Sequence, residues 1–219
     1  MSTAHQPPAA PAGTAPPPSG AAENCAPVPS RVYRLSIEQY NAMVEAGCFE
    51  TGGHARPKLE LLEGVLTNMR PTKPPHAVIV DELNYWAVDS FDRQAYRVSI
   101  QSPIEIHPSS SEPEPDVVIF RAFSRATRHP AEGDIALVIE VADSSLANDL
   151  GQKARIYARG GVPEYWVVDI PGRKLHVHRR PEGDAYTAVS VVEGDASAAA
   201  EIVGGTPLHA ARLFAVLDA

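Results

Sequence analysis

Apolar and polar positions change their period several times along the chain, and each change predicts an element. Ser36 followed by Gln39 has the capping-box pattern, and Ile37, Tyr40 and Val44 then repeat at helical spacing. This predicts a short helix over 37–46, which Gly47 can end. CFETGGHARPK reads as a glycine-rich loop, and LELLEGVLTNM as a hairpin of two extended runs punctuated by Gly64. Val80, Leu83, Asn84 and Ala87 fall on one helical face, so a helix is expected over about 76–91. YRVSIQSPIEIHP is strand-like and interrupted by Pro103, while PDVVIF and DIALVIEVAD are apolar on both alternating faces. Runs of that kind are expected of strands covered on both sides. SSLANDLGQKARIYARGG reads as a cap, a helix over about 146–159 and a glycine stop. EYWVVDIPGRKLHVHRR is a hairpin around PGR, AYTAVSVV is one more strand, and the chain closes with a short strand and an apolar tail. Strands in succession with two or three flanking helices predict an α/β or α+β domain built on a mixed central sheet.

Composition limits where that domain lies. Eight of the 21 prolines precede Ser30, in a stretch with no apolar period and one carboxylate, Glu23. Residues 1–30 are therefore expected to be a disordered Pro/Ala-rich tail, with one domain over 31–219. The tail lacks the charged start and apolar core of a signal peptide, and no run approaches the roughly 18 apolar residues of a membrane span. Cys25 and Cys48 make neither a disulfide framework nor a zinc site. A soluble, cytoplasmic protein is expected. The formal charge of −8 runs against strong nonspecific binding to nucleic acid, which favours basic proteins. A nucleic-acid substrate would have to be gripped by local cations such as Arg56, Lys58, Arg70 and Lys73, and by metal ions.

Glu140 is the most informative residue, because it interrupts the otherwise apolar run IALVIEVA. A covered carboxylate needs a cation, a hydrogen-bond network or an opening to solvent; the alternative is an edge-strand glutamate facing water. Asp116 begins the run PDVVIF, and alone it reads as a turn residue. Two neighbouring buried strands, each with one carboxylate, would place like charges together unless a cation lies between them. Mg²⁺ suits such a site, being held by one or two carboxylates plus water and phosphate. Asp149, Lys153 and Tyr157 are four apart and share a helix face. Spacing alone makes Asp149 and Lys153 a surface pair; the other arrangement leans the helix over the sheet and delivers the ammonium to the two carboxylates. Glu60, in LELLEG, reads either as a solvent-facing hairpin residue or as a fourth member of the site. His176 and His178 share a strand face without a third ligand, and no serine-hydrolase elbow, phosphate loop or dinucleotide fingerprint is present.

Taken with LELLEGVL, the helix opening at His76, PEPDVVIF, LVIEVADSS and NDLGQKARIYARGGVPEYWVVDI, these positions resemble the Uma-two family, a branch of the PD-(D/E)XK nuclease superfamily. The resemblance spans roughly Ser36 to Phe214. It implies a restriction-endonuclease-like core, a metal-dependent endonuclease acting on nucleic acid (DNA rather than RNA), and Mg²⁺, or Mn²⁺, at Asp116 and Glu140 with the Val141 carbonyl. It further implies Lys153 as the catalytic lysine and Glu60 as an accessory acid. Two departures accompany it. The superfamily lysine two residues after the acid is replaced here by Ala142, which the resemblance explains by migration to Lys153. The Ser-Pro turn of relatives is replaced by Asp143-Ser144-Ser145, with Asp143 expected to cap the following helix. Many nucleases pair to cut two strands, so a homodimer is expected. Two rivals stand beside this reading: a glycosidase working by paired carboxylates, thinly supported at 6% aromatic residues, and a catalytically silent binding or assembly module of the same fold.

Overall fold

A computed structural model describes residues 32–50, 57–69, 71–123 and 127–218. The expected Pro/Ala-rich tail, together with Arg56 and Arg70, lies outside the described residues. The elements run α1 (Ile37–Glu45), β1 (Leu59–Leu62), β2 (Val65–Asn68), α2 (Pro74–Ser90), β3 (Tyr96–Ile100), β4 (Val117–Arg121) and β5 (Ile135–Ala142). After them come a helix over 146–159 (α3), β6 (Glu164–Asp169), β7 (Lys174–Glu182), β8 (Ala185–Glu193), β9 (Ser197–Ala198), β10 (Leu208–His209) and α4 (Ala210–Ala215).

The central sheet has six strands in the order β3-β4-β5-β6-β7-β8. Only β5 and β6 run parallel, and every other neighbouring pair is antiparallel. A parallel pair needs a crossover, and α3 supplies it. Both faces are covered, which explains the unbroken apolar runs. Leu137, Ile139 and Val141 of β5 join Val117, Ile119, Trp166 and Val168 under α2 (Ile79, Val80, Leu83) and α4 (Leu213, Phe214). Trp86 of α2 stacks on Trp166, with ring centroids 5.6 Å apart. On the opposite face Val138 and Ala142 join Val118, Phe120 and Val167 under Ile156, Tyr157 and Ala158 of α3. All eight residues of β5 are buried, so Glu140 stands in a covered central strand and not at an edge.

The hairpin β1–β2 stands apart from this sheet. Leu62 pairs with Val65, leaving Glu63 and Gly64 as a two-residue turn, both with positive φ (48° and 77°). That is the turn whose twist matches paired strands. A Cβ on Gly64 would lie 2.6 Å from the Arg34 Cβ and 2.9 Å from the Leu35 carbonyl, so the close approach also requires glycine. Backbone bonds tie the hairpin to the body: Glu112 N–H donates to the Leu61 carbonyl (2.7 Å) and Leu61 N–H to the Glu112 carbonyl (3.2 Å). Leu61 packs with Ile37 and Tyr40 of α1.

Three expectations change. The helix expected from His76 begins at Pro74, because two prolines at its first positions suit backbone N–H groups that need no helical partner. The apolar C-terminal tail is partly helical, its Leu213 and Phe214 filling the sheet face beside α2. The helix over 146–159 is not uniform: Leu146–Asn148 and Ala154–Arg159 flank a wide π-type turn, Asp149–Lys153. There the Ala154 N–H reaches back to the Asp149 carbonyl, which also accepts from the Tyr165 hydroxyl (3.0 Å). No helix among the described residues is long and apolar enough to cross a membrane.

Gly64→Ala is expected to destabilise the protein by about 1–3 kcal/mol, from its positive φ and the contact with residues 34–35. Urea denaturation measures it. Glu112 gives a second expectation, on pH. Burial, with the charges of Glu105 and Glu114, pushes its carboxyl from the ordinary 4.5 to about 7, against a hydrogen bond from Asn41. A pKa raised by folding stabilises while the group is protonated, so its contribution is fully present below about 4.5 and lost as pH rises through about 7. Glu112→Gln should therefore flatten the fall of the urea midpoint across that window.

Candidate active site

Asp116, Glu140, Lys153 and Glu60 meet in one cleft of about 380 Å³, whose walls also include Lys58, Lys73, His76, Gln101, Asp143 and Asp149. Antiparallel register explains the first two. Val117 pairs with Ile139, so one step further places Asp116 opposite Glu140, on the face under α3. The helix does lean over the sheet. Lys153 is buried, its Nζ 3.0 Å from Glu140 Oε1 and 3.3 Å from Glu60 Oε2. The surface pair with Asp149 that spacing alone allowed does not form; Asp149 is itself buried and takes a hydrogen bond from the Ser145 hydroxyl. The Tyr157 hydroxyl donates to Glu140 Oε1 at 2.7 Å. A wide turn, with four residues still bringing position 153 close to the azimuth of 149, keeps both side chains on the covered face.

Asp116 sits in a cage of donors. Its Oδ2 accepts from the Val141 N–H (2.9 Å) and from His76 Nε2 (3.2 Å), and its Oδ1 from Gln101 Nε2 (3.2 Å). These hold the carboxylate in one orientation. Glu60 is buried on β1, and its Oε2 lies 3.3 Å from the Lys153 Nζ without hydrogen-bond geometry and, among the described residues, without a hydrogen bond. The solvent-facing alternative for Glu60 is thereby excluded.

Electrostatics follow from burial and from the surplus of acids. Burial, reinforced by Asp149, Asp116 and Glu60, drives the Glu140 carboxyl well above the usual range, and Lys153 opposes that shift. Burial would lower the Lys153 pKa, but Glu140, Glu60 and Asp149 together outweigh it and hold the amine as an ammonium. For His76, burial is likewise outweighed by the hydrogen bond and charge of Asp116, with Asp143 and Asp149 adding to it, so its pKa is raised. Burial keeps the Tyr157 hydroxyl protonated and thus a donor.

Sequence reasoning missed His76 and Gln101 as partners of Asp116, since nothing in their local pattern separates them from ordinary helix and loop residues. Tyr157 was visible, four residues beyond Lys153. Asp143 does not cap α3. Its carboxylate pairs with Lys73 at 2.7 Å, and Ser145 occupies the N-cap position without a side-chain cap bond. Among the described residues, no three acidic or histidine side chains form a ready-made metal cage. The donor set nonetheless fits a hard cation: two carboxylates opposed across adjacent strands, a buried Glu60 oxygen that takes no hydrogen bond among the described residues, and more acids than cations around them. Mg²⁺ is commonly held by one or two carboxylates, with waters completing its shell.

The Uma2 family model, described as "Putative restriction endonuclease", matches residues 37–210. The chain belongs to the Uma2 family. That match covers the hairpin, the six-stranded sheet and the whole cleft. Among solved structures, one described as a "putative nuclease belonging to DUF820 from Anabaena variabilis ATCC 29413" aligns with a TM-score of 0.57. It is 16% identical, over 84% of this chain and 99% of that one. At that identity the likeness shows the fold, a restriction-endonuclease-like mixed sheet flanked by helices. No curated protein matches the chain. Membership of Uma2 supports a nuclease, and restriction-endonuclease-like nucleases generally use divalent metals.

Replacing Lys153 by Met would leave Glu140 buried without its cation. A loss of about 3–5 kcal/mol is expected in metal-free protein, and Lys153→Met/Glu140→Gln should recover most of it. Urea unfolding of the two variants beside wild type checks the coupling.

Proposed function

We propose that this Uma2 protein is a metal-dependent endonuclease that hydrolyses phosphodiester bonds of nucleic acid, DNA in preference to RNA. The observation that carries this reading is the meeting of Asp116, Glu140 and Lys153 in one cleft. Two carboxylates opposed in register, with one ammonium beside them, are suited to holding a hard cation next to an attacked phosphate. Asp116 and Glu140 would hold Mg²⁺ or Mn²⁺, with the Val141 carbonyl at the same strand end. When bound, the ion supplies Lewis-acid polarisation of a phosphodiester oxygen and lowers the pKa of a coordinated water.

The chain's own groups do the rest. His76, Gln101 and the Val141 N–H fix the Asp116 carboxylate, so no reorganisation is needed when substrate arrives. Lys153 is held as an ammonium by its carboxylate neighbours. It therefore acts as a donor that orients water and offsets charge growing on the phosphoryl oxygens, and not as the proton-abstracting base. The neutral Tyr157 hydroxyl holds the Glu140 carboxylate from the core side. Glu60, with an oxygen lacking a hydrogen bond, is positioned to orient a water at the edge of the cleft.

Cleavage of a labelled DNA duplex in Mg²⁺ tests the reading. EDTA should abolish it. Glu140→Gln keeps an oxygen for both Lys153 and Tyr157 but removes the charge, and Lys153→Ala removes the ammonium. Each should lower the rate by on the order of 10²-fold or more, with circular dichroism verifying that the fold persists. DNA cleavage surviving EDTA would overturn the metal dependence, whereas hydrolysis of a glycoside by the EDTA-treated protein would favour the paired-carboxylate glycosidase. A protein that neither cuts nucleic acid nor binds metal in calorimetry would be the silent module.

A further inference from the structure

One ion pair at the cleft has no part in the chemistry above. Lys73 Nζ lies 2.7 Å from Asp143 Oδ2. Lys73 is the residue on which α2 begins, just ahead of His76, and Asp143 directly follows β5, just past Glu140. The pair thus joins the two elements that carry the Asp116 cage and the buried glutamate, and both partners line the cleft. Lys73 makes no side-chain cap bond to α2, and the N-cap of α3 is Ser145. The lysine side chain is 62% exposed and the aspartate 23%, so the ammonium is reachable from solvent while the carboxylate is partly tucked in.

We propose that Asp143 acts as a stand-in for phosphate. In the free protein it holds Lys73 across the cleft, and a backbone phosphate of the substrate takes its place on the Lys73 ammonium. The proposal rests on the nuclease reading and adds to it a residue pair that sets substrate affinity. Carboxylate and phosphate oxygens are interchangeable partners for an ammonium, both giving charge-assisted hydrogen bonds. An exposed pair contributes little stability, so the exchange meets only a small barrier. The exchange gives up the Lys73–Asp143 pair, so binding is weaker than the Lys73 ammonium alone would allow.

Fluorescence anisotropy with a short labelled DNA duplex, in Ca²⁺ in place of Mg²⁺, separates the possibilities. Asp143→Asn should tighten binding by about threefold to fivefold, in the range of a weak ion pair. Lys73→Met should weaken binding and reduce its dependence on salt. In the Lys73→Met background, adding Asp143→Asn should change affinity by less than about twofold, since the aspartate then has nothing to withhold. Glu182→Gln, an exposed charge change on β7, controls for net charge and should leave affinity unaltered. Equal tightening by Asp143→Asn with and without Lys73 would mean simple repulsion and would overturn the latch, as would no change at all. Wild type that binds and cleaves while Asp143→Asn matches it overturns the latch alone. Wild type that neither binds duplex nor cleaves it in Mg²⁺ overturns the nuclease reading and the latch with it.

Discussion

A carboxylate buried within a strand that is covered along its whole length is the constraint around which this molecule is arranged. Glu140 sits in β5 among seven other buried residues, under α3 and between two neighbouring strands. Desolvating that group is costly unless it is met by charge and hydrogen bonds. Lys153 at 3.0 Å and the Tyr157 hydroxyl at 2.7 Å meet it. An apolar side chain of similar volume would satisfy the core at least as well, since buried ion pairs seldom outdo good packing. Stability alone therefore gives no reason for glutamate here, which directs attention to chemistry.

The surrounding architecture is explicable as support for that group and its neighbours. The wide turn in α3 keeps Asp149 and Lys153 both on the face above the sheet. The parallel β5–β6 pair requires a crossover at this end of the sheet, so the helix carrying the lysine leaves the strand that carries the glutamate. On the other wall, a tight Glu63–Gly64 turn and the backbone bridge between Leu61 and Glu112 fix the hairpin that holds Glu60. Gln152 and Arg159 of α3 also reach Glu63 at the turn (3.1 and 3.3 Å), tying hairpin to helix.

How much of this was legible in the chain depends on the range of each contact. The capping box of α1 and the two-residue turn at Gly64 are local, and their patterns locate them correctly. Glu140 was legible because one polar residue broke a continuous apolar run, a signal that burial alone generates. Lys153 was not: positions 149, 153 and 157 fit a solvated ion-pair stripe as well as a buried one, and only tertiary packing separates the two. His76 and Gln101 reach Asp116 across 40 and 15 residues, and no local periodicity encodes such contacts. Asp143 before a helix looks like a cap by composition, yet a nearby ammonium outcompetes backbone N–H groups for it. The C-terminal helix was hidden by its brevity, since Ala210–Ala215 is too short for a helical period to stand out.

The remaining tension is between an acidic protein and a polyanionic substrate. Net charge is a poor guide when cations are already engaged. Arg128, Arg159, Arg173 and Arg179 pair with Asp134, Asp184, Asp218 and Glu164 respectively, away from the cleft. Among the described residues, the lysines and arginines that line the cleft are Lys58 and Lys73 at its wall and Lys153 within it. A protein that neutralises few phosphates releases few counter-ions, so its grip on nucleic acid is weak and only mildly salt-dependent. On the proposed reading, affinity would come from the cleft itself, from Lys73 at its rim and from the charges that burial magnifies at its centre, and not from a basic surface. On the nuclease reading proposed above, recognition and chemistry would share the same few side chains, and the surplus of carboxylates around Lys153 would suit a hard cation.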